Sequence, residues 1–106
     1  MDETLKRQIT KDIEEHPILL YMKGTKEMPQ CGFSAQVVAI LKELNVPFDT
    51  KNVLTNPDLR SGMKEYSDWP TFPQLYIQGE FIGGCDIVCE MFATGELQKA
   101  VSALVL

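Results

Sequence analysis

No apolar run in this chain of 106 residues is long enough to cross a bilayer, and 44% hydrophobic with 24% charged residues is an ordinary globular balance. The first residues, Met1-Asp2-Glu3-Thr4-Leu5-Lys6, lack the basic and apolar regions of a secretory signal. They also lack the Arg- and Ser-rich, acid-poor character of a transit peptide, so a soluble, cytoplasmic protein with no membrane partner is expected. Basic charge is in deficit: 10 Lys and Arg against 15 Asp and Glu give a net charge of −5, which argues against a nucleic-acid partner. Repeats, linkers and low-complexity tracts are missing, and the expectation is one domain over 1–106, large enough for a core without disulfide staples. Cysteine is limited to three residues, an odd number that leaves at least one unpaired and suits a reducing compartment.

The shortage of sulfur is most informative at Cys31-Gly32-Phe33-Ser34. A Cys at the start of a helix faces unpaired backbone N–H groups and the positive end of the macrodipole, which favour thiolate over thiol. A second Cys three residues on would share that helix face and could close a disulfide, but a serine stands there. The sulfur of Cys31 must find its partner elsewhere.

Leu5, Ile9 and Ile13 recur every fourth residue among charged neighbours and predict an amphipathic helix ending near His16-Pro17, with His16 a helix-end residue. Ile18 to Met22 predicts a short strand. A polar loop follows through Pro29, and Cys31 opens a helix whose core face would use Ala35, Val38, Leu41 and Leu44 before Asn45 stops it. Phe48 to Val53 predicts a second strand, parallel to the first through a right-handed crossover. Asn56-Pro57 starts a third helix with Leu59 and Met63 inward, closed by Trp69-Pro70. Leu75-Tyr76-Ile77 and Phe81-Ile82 flank Gln78-Gly79-Glu80 as a hairpin. Helical patterns then run around Ile87 to Phe92 and from Leu97 to Leu104, punctuated by Gly95. The order α-β-α-β-α-β-β-α-α, with Cys at the first βα junction, is that of an α/β thioredoxin-like fold with a four-stranded mixed sheet flanked by helices.

Four motifs in order narrow this further: Lys23-Gly24-Thr25, Pro29-Gln30-Cys31-Gly32-Phe33-Ser34, Trp69-Pro70-Thr71-Phe72-Pro73-Gln74 and Gly83-Gly84-Cys85-Asp86. Together they resemble the monothiol, CGFS-type glutaredoxins of the single-domain, bacterial-like kind, over essentially the whole chain. The resemblance implies that Cys31 is both the nucleophile and an iron ligand. Lys23, at the end of the first strand, would set its ammonium near the sulfur. Arg60 alone reads as a surface residue, but the resemblance pairs it with Lys23 as a clamp on the glycine carboxylate of glutathione. A cis bond between Phe72 and Pro73 is implied, turning the Phe72 backbone toward the cysteine part of that tripeptide. Gly83-Gly84 would let the chain pass close to the ligand, with the Cys85 backbone and Asp86 holding the γ-glutamyl end.

Cys85 and Cys89 lie four apart, a spacing that fits a metal pair on one helical turn; with no His beside them and apolar neighbours around Cys89, a buried structural thiol is the expectation for Cys89. Cys85 is a candidate resolving thiol for Cys31 under oxidation. A [2Fe-2S] cluster takes four thiolates or their equivalents, more than this chain holds. One Cys31 and one glutathione from each of two chains would complete the set. The resemblance implies that arrangement in a homodimer, or a heterodimer with a BolA-like protein, passing the cluster to apo iron-sulfur proteins. The rival reading is glutathione-dependent reduction of protein–glutathione mixed disulfides, which also needs one thiolate. In the family, a long 24–30 loop goes with weak reductase activity. A redox-independent adaptor is the third reading, and it would make Cys31 dispensable.

Overall fold

The computed structural model describes residues 1–104. Nine elements follow the expected order: α1 Glu3–Glu15, β1 Ile18–Met22, α2 Gly32–Glu43, β2 Asp49–Asn52, α3 Pro57–Ser67, β3 Gln74–Ile77, β4 Glu80–Gly83, α4 Cys85–Thr94 and α5 Glu96–Ser102. The strands form one mixed sheet in the order β2-β1-β3-β4, parallel between β1 and β2 and antiparallel elsewhere. The fold is thioredoxin-like.

Alternation along β1 splits the interior in two. Ile18, Leu20 and Met22 face α2, α4 and α5, packing with Val37, Leu41, Val88 and Leu97. Leu19 and Tyr21 face α1 and α3, packing with Ile9, Ile13 and Met63. All five β1 residues are buried, as a central strand covered on both faces requires. β1 is therefore the fixed rail from whose carboxyl end the Cys31 loop departs.

Local chemistry explains the boundaries. Asp2 caps α1 by accepting from the Thr4 N–H at 3.0 Å, and Asn56 caps α3 by accepting from Leu59 at 3.1 Å ahead of Pro57. Asn45 follows α2 in the left-handed region at φ 56°, and the tight Gln78-Gly79 turn has positive φ at both residues, which suits the twist of the β3–β4 hairpin.

Some expectations shift. On α2, Val38 and Leu41 are buried as foreseen, but Ala35 and Leu44 are only partly so; Ser34, Val37 and Ile40 complete the face. A helix lying flat on a sheet buries a stripe wider than one residue per turn. The third helix stops at Ser67, because Asp68 adopts φ 52° and leaves the helix before Trp69. The fourth begins at Cys85, ahead of the Ile87 pattern, with Gly84 as its N-cap. The fifth ends at Ser102, short of Leu104.

Candidate functional site

At the carboxyl end of β1 lies a cleft of about 450 Å³ whose walls include Lys23, Cys31 and Phe33 on one side and Cys85, Asp86 and Ile87 on the other, with Trp69, Thr71, Phe72 and Pro73 between. Its volume lies within the range of small-molecule sites. Three segments far apart in sequence meet here because the βαβ crossover and the β3–β4 hairpin bring the starts of α2 and α4 to the same end of the sheet.

Cys31 is half-buried and occupies the N-cap position of α2. Its thiol makes no capping hydrogen bond of ordinary length, yet the helix start is turned on it. The Ser34 backbone N–H chiefly, with help from the Phe33 N–H, the Lys23 ammonium and the Ser34 hydroxyl, holds its pKa below that of a free thiol against an opposing desolvation cost. Ser34, fully buried, does more than stand in for a second cysteine: its Oγ accepts from the Lys23 N–H at 3.2 Å and ties the end of β1 to the first turn of α2.

The loop between them is built, not slack. Gly24 and Pro29 form an isolated antiparallel bridge, Thr25 and Met28 exchange backbone hydrogen bonds at 3.2 and 3.1 Å, and the Gln30 N–H donates to Lys23 O at 2.9 Å. Gly24 sits at φ +95°, where a Cβ would come within 2.6 Å of Gln30 N and Met28 O, so only glycine closes this loop without strain. Asn52 on β2 braces it by accepting from the Gly24 N–H at 3.0 Å. Sequence reading passed over Asn52; its only signal was an Asn at the end of a strand, a frequent place for side-chain-to-backbone bonds.

On the central wall the Phe72–Pro73 bond is cis. The Phe72 N–H and C=O pair with no other backbone group among the described residues. Gly83 and Gly84 also pack tightly against the protein itself. A Cβ on Gly83 would strike Ile87 at 2.8 Å, whereas one on Gly84 would stand 3.3 Å from Trp69 Nε1 and need only a small shift of the indole. That Trp69 Nε1–H is buried without a hydrogen-bond partner.

Cys85 opens α4 but differs from Cys31. It is buried, donates its thiol hydrogen to Gln36 Oε1 at 3.3 Å and lies 3.8 Å, sulfur to sulfur, from Cys89. Burial first, then Cys89, Asp86 and Cys31, push its pKa up to about 11. Cys89 is half-buried and in contact with another thiol, not an isolated core residue. Asp86 is exposed in the first turn of α4, and neither it nor Lys23 is ion-paired among the described residues.

Of the residues singled out in the sequence, Lys23, Cys31, Phe72, Cys85 and Asp86 all line the cleft. Arg60 does not: it stands half-buried on α3, outside the cleft wall. Among the described residues no three His, Cys, Asp or Glu side chains converge to hold a metal ion. No helix of the described residues is long and apolar enough to cross a membrane.

The family model described as Glutaredoxin matches residues 18–82. A probable monothiol glutaredoxin of Rickettsia felis is 56% identical over 86% of this chain and 88% of its own length. A chloroplastic monothiol glutaredoxin of Arabidopsis thaliana is 60% identical over 92% of this chain, which spans 56% of that protein's length; for a rice chloroplastic relative the share is 61%. Among solved structures, reduced apo glutaredoxin from poplar is 59% identical with a TM-score of 0.81, covering 92% of this chain and 90% of its own. A truncated monomeric mutant of a Trypanosoma brucei glutaredoxin is 38% identical with a TM-score of 0.84, covering 92% of this chain and 88% of its own. With one thiol at the mouth of α2 and a buried serine three residues on, the chain belongs to the glutaredoxin family, among its monothiol members.

Proposed function

We propose that this protein binds glutathione and carries a labile [2Fe-2S] cluster between two chains, passing it to apo iron-sulfur proteins of the cytoplasm. Each chain would contribute Cys31 and one bound glutathione. A homodimer, or a pair with a BolA-like protein, would complete the coordination. The observation that carries this reading is Cys31 itself, a half-exposed sulfur with a depressed pKa and, at Ser34, no thiol to close upon.

The cleft suits the tripeptide. The Lys23 ammonium on one wall and the Asp86 carboxylate on the other match its carboxylate and ammonium ends, and the unpaired Phe72 backbone groups between them suit an extended peptide. Arg60 would join Lys23 only by reaching in from α3. Two irons bridged by sulfide require four thiolate-type ligands, of which this chain offers one from the exposed rim of the cleft. Ser34 fixes the approach of that sulfur through its bond to the Lys23 N–H, and the exposed Phe33 ring shields the rim.

Anaerobic reconstitution with iron, sulfide and glutathione tests the reading. The expected product is a coloured dimer, absent when glutathione is left out and absent in Cys31→Ser. A colourless monomer under full conditions would overturn it. The same accessible thiolate favours a second activity, reduction of protein–glutathione disulfides. Cys31 would attack the glutathione sulfur and release the protein thiolate, and a second glutathione thiolate would then free Cys31 as oxidised glutathione leaves. Slow turnover in a mixed-disulfide assay is expected, and turnover at dithiol-enzyme rates would reverse the order of the two readings.

A further inference from the structure

Across the cleft from Cys31, the contact between Cys85 and Cys89 has no part in the proposed function, which uses only the Cys85 backbone. The two sulfurs are 3.8 Å apart on consecutive turns of α4, and the Gln36 carbonyl oxygen of α2 lies 3.3 Å from the Cys85 sulfur. Direct oxidation to a disulfide does not suit this pair. Side chains four apart on a helix keep their Cβ atoms about 5–6 Å from each other, whereas a disulfide needs about 3.5–4.5 Å, so closing the bond would unwind the first turn of α4.

An atom placed between the sulfurs asks for no such movement. Two thiolates each about 2.3 Å from a tetrahedral zinc ion stand about 3.8 Å apart, and a thiolate and an oxygen at about 2.0–2.2 Å stand about 3.5 Å apart. The sulfur–sulfur distance in the structure, 3.8 Å, matches the first edge of a zinc-centred tetrahedron, and the sulfur–oxygen distance, 3.3 Å, falls a few tenths of an ångström short of the second. The hydrogen-bond partner of the Cys85 thiol is an oxygen already placed as a third donor, and water would take the fourth corner. Cys85 forms part of the cleft wall, so an ion has a route to it from solvent.

We propose that Cys85, Cys89 and Gln36 form a binding site for a thiophilic divalent cation of the zinc type, bridging α2 and α4 beside the Cys31 cleft. Binding replaces both thiol protons, which pass to solvent; no electrons move, and the ion with two thiolates is formally neutral. The proposal is independent of glutathione and of the cluster.

Zinc titration of the full-length reduced chain without glutathione is the test, carried out in a Cys31→Ser background so that the third thiol takes no part. The expected result is one ion per monomer. Adding Cys89→Ser should abolish tight binding, and Gln36→Ala should weaken it roughly tenfold, the order seen when one supporting ligand interaction is lost. Unchanged affinity in Cys89→Ser, or an ion held only between two chains by sizing, would overturn the site. Alkylation mapping of the unmutated chain gives an answer even if the variant misfolds. Zinc should protect Cys85 and Cys89 while Cys31 still reacts; protection of Cys31 alone would refute the assignment.

Discussion

Two helix starts face each other across the cleft, and each presents a cysteine, yet the two sulfurs are moved in opposite directions. At α2, Cys31 is half-exposed with N–H groups of the first turn directed at it, and its pKa falls. At α4, Cys85 is buried with a thiol, a carboxylate and the other cysteine for neighbours, and its pKa rises to about 11. A helix N-terminus alone does not make a thiolate. Desolvation and the charge of what lies nearby decide whether the dipole wins.

The largest expected effect is on reactivity. At pH 7 a thiol with a pKa near 11 is ionised to about one part in 10⁴, so Cys31 should alkylate at least ~100-fold faster than Cys85. Time-resolved peptide mapping with iodoacetamide checks this, and Cys31→Ser should remove the fast phase entirely. Equal rates at the two sulfurs would erase the contrast.

Next in size is alkaline stability. Cys85 holds its proton more tightly folded than unfolded, so the stability this gives is full below pH 9 and declines as pH rises from 9.0 toward about 11. Two pKa units correspond to roughly 2–3 kcal/mol. Buried Tyr21 and Tyr76, also shifted upward, act in the same direction, so the measurement is a difference: urea unfolding of the parent should weaken over this window more than that of Cys85→Ser.

Ser34→Ala should cost about 1 kcal/mol in thermal or urea unfolding, because the partly buried Lys23 N–H loses its acceptor. It should also shift the pH profile of Cys31 alkylation upward only modestly, since the larger influence is the Ser34 backbone N–H, which alanine keeps. The smallest effect on stability is expected from Lys23→Gln, whose effect on the thiol is nevertheless at least that of losing the Ser34 hydroxyl. Its charge ranks behind both backbone groups, so the Cys31 profile should move slightly alkaline, and added salt should shrink even that shift.

How far these two environments could be read in advance differs. The α2 start was legible: Cys-Gly-Phe-Ser after a strand gives the thiolate logic from spacing alone, and the periodic runs in α1, β1 and the hairpin placed the sheet around it. The α4 start was less so. Its helix begins at Cys85 through the Gly84 N-cap, whereas the apolar pattern pointed only to Ile87 onward. Gln36 belongs to a different helix, and nothing in a sequence says which residue of α2 will reach across to α4. The Cys85–Cys89 contact turns on rotamers, which spacing permits but does not fix. Arg60 fell outside the cleft wall for a similar reason, since the direction in which α3 turns its long side chain depends on how the helix seats against α1.

Asn52 gives the cleft a handle at a distance. One oxygen of its side chain accepts from both the Gly24 and the Leu54 N–H groups, each at 3.0 Å, so the outer strand of the sheet and the peptide that follows Lys23 are pinned to a single atom. Loss of that one oxygen, as in Asn52→Ala, would therefore free the Gly24 N–H that follows Lys23 and the Leu54 N–H beyond the outer strand together.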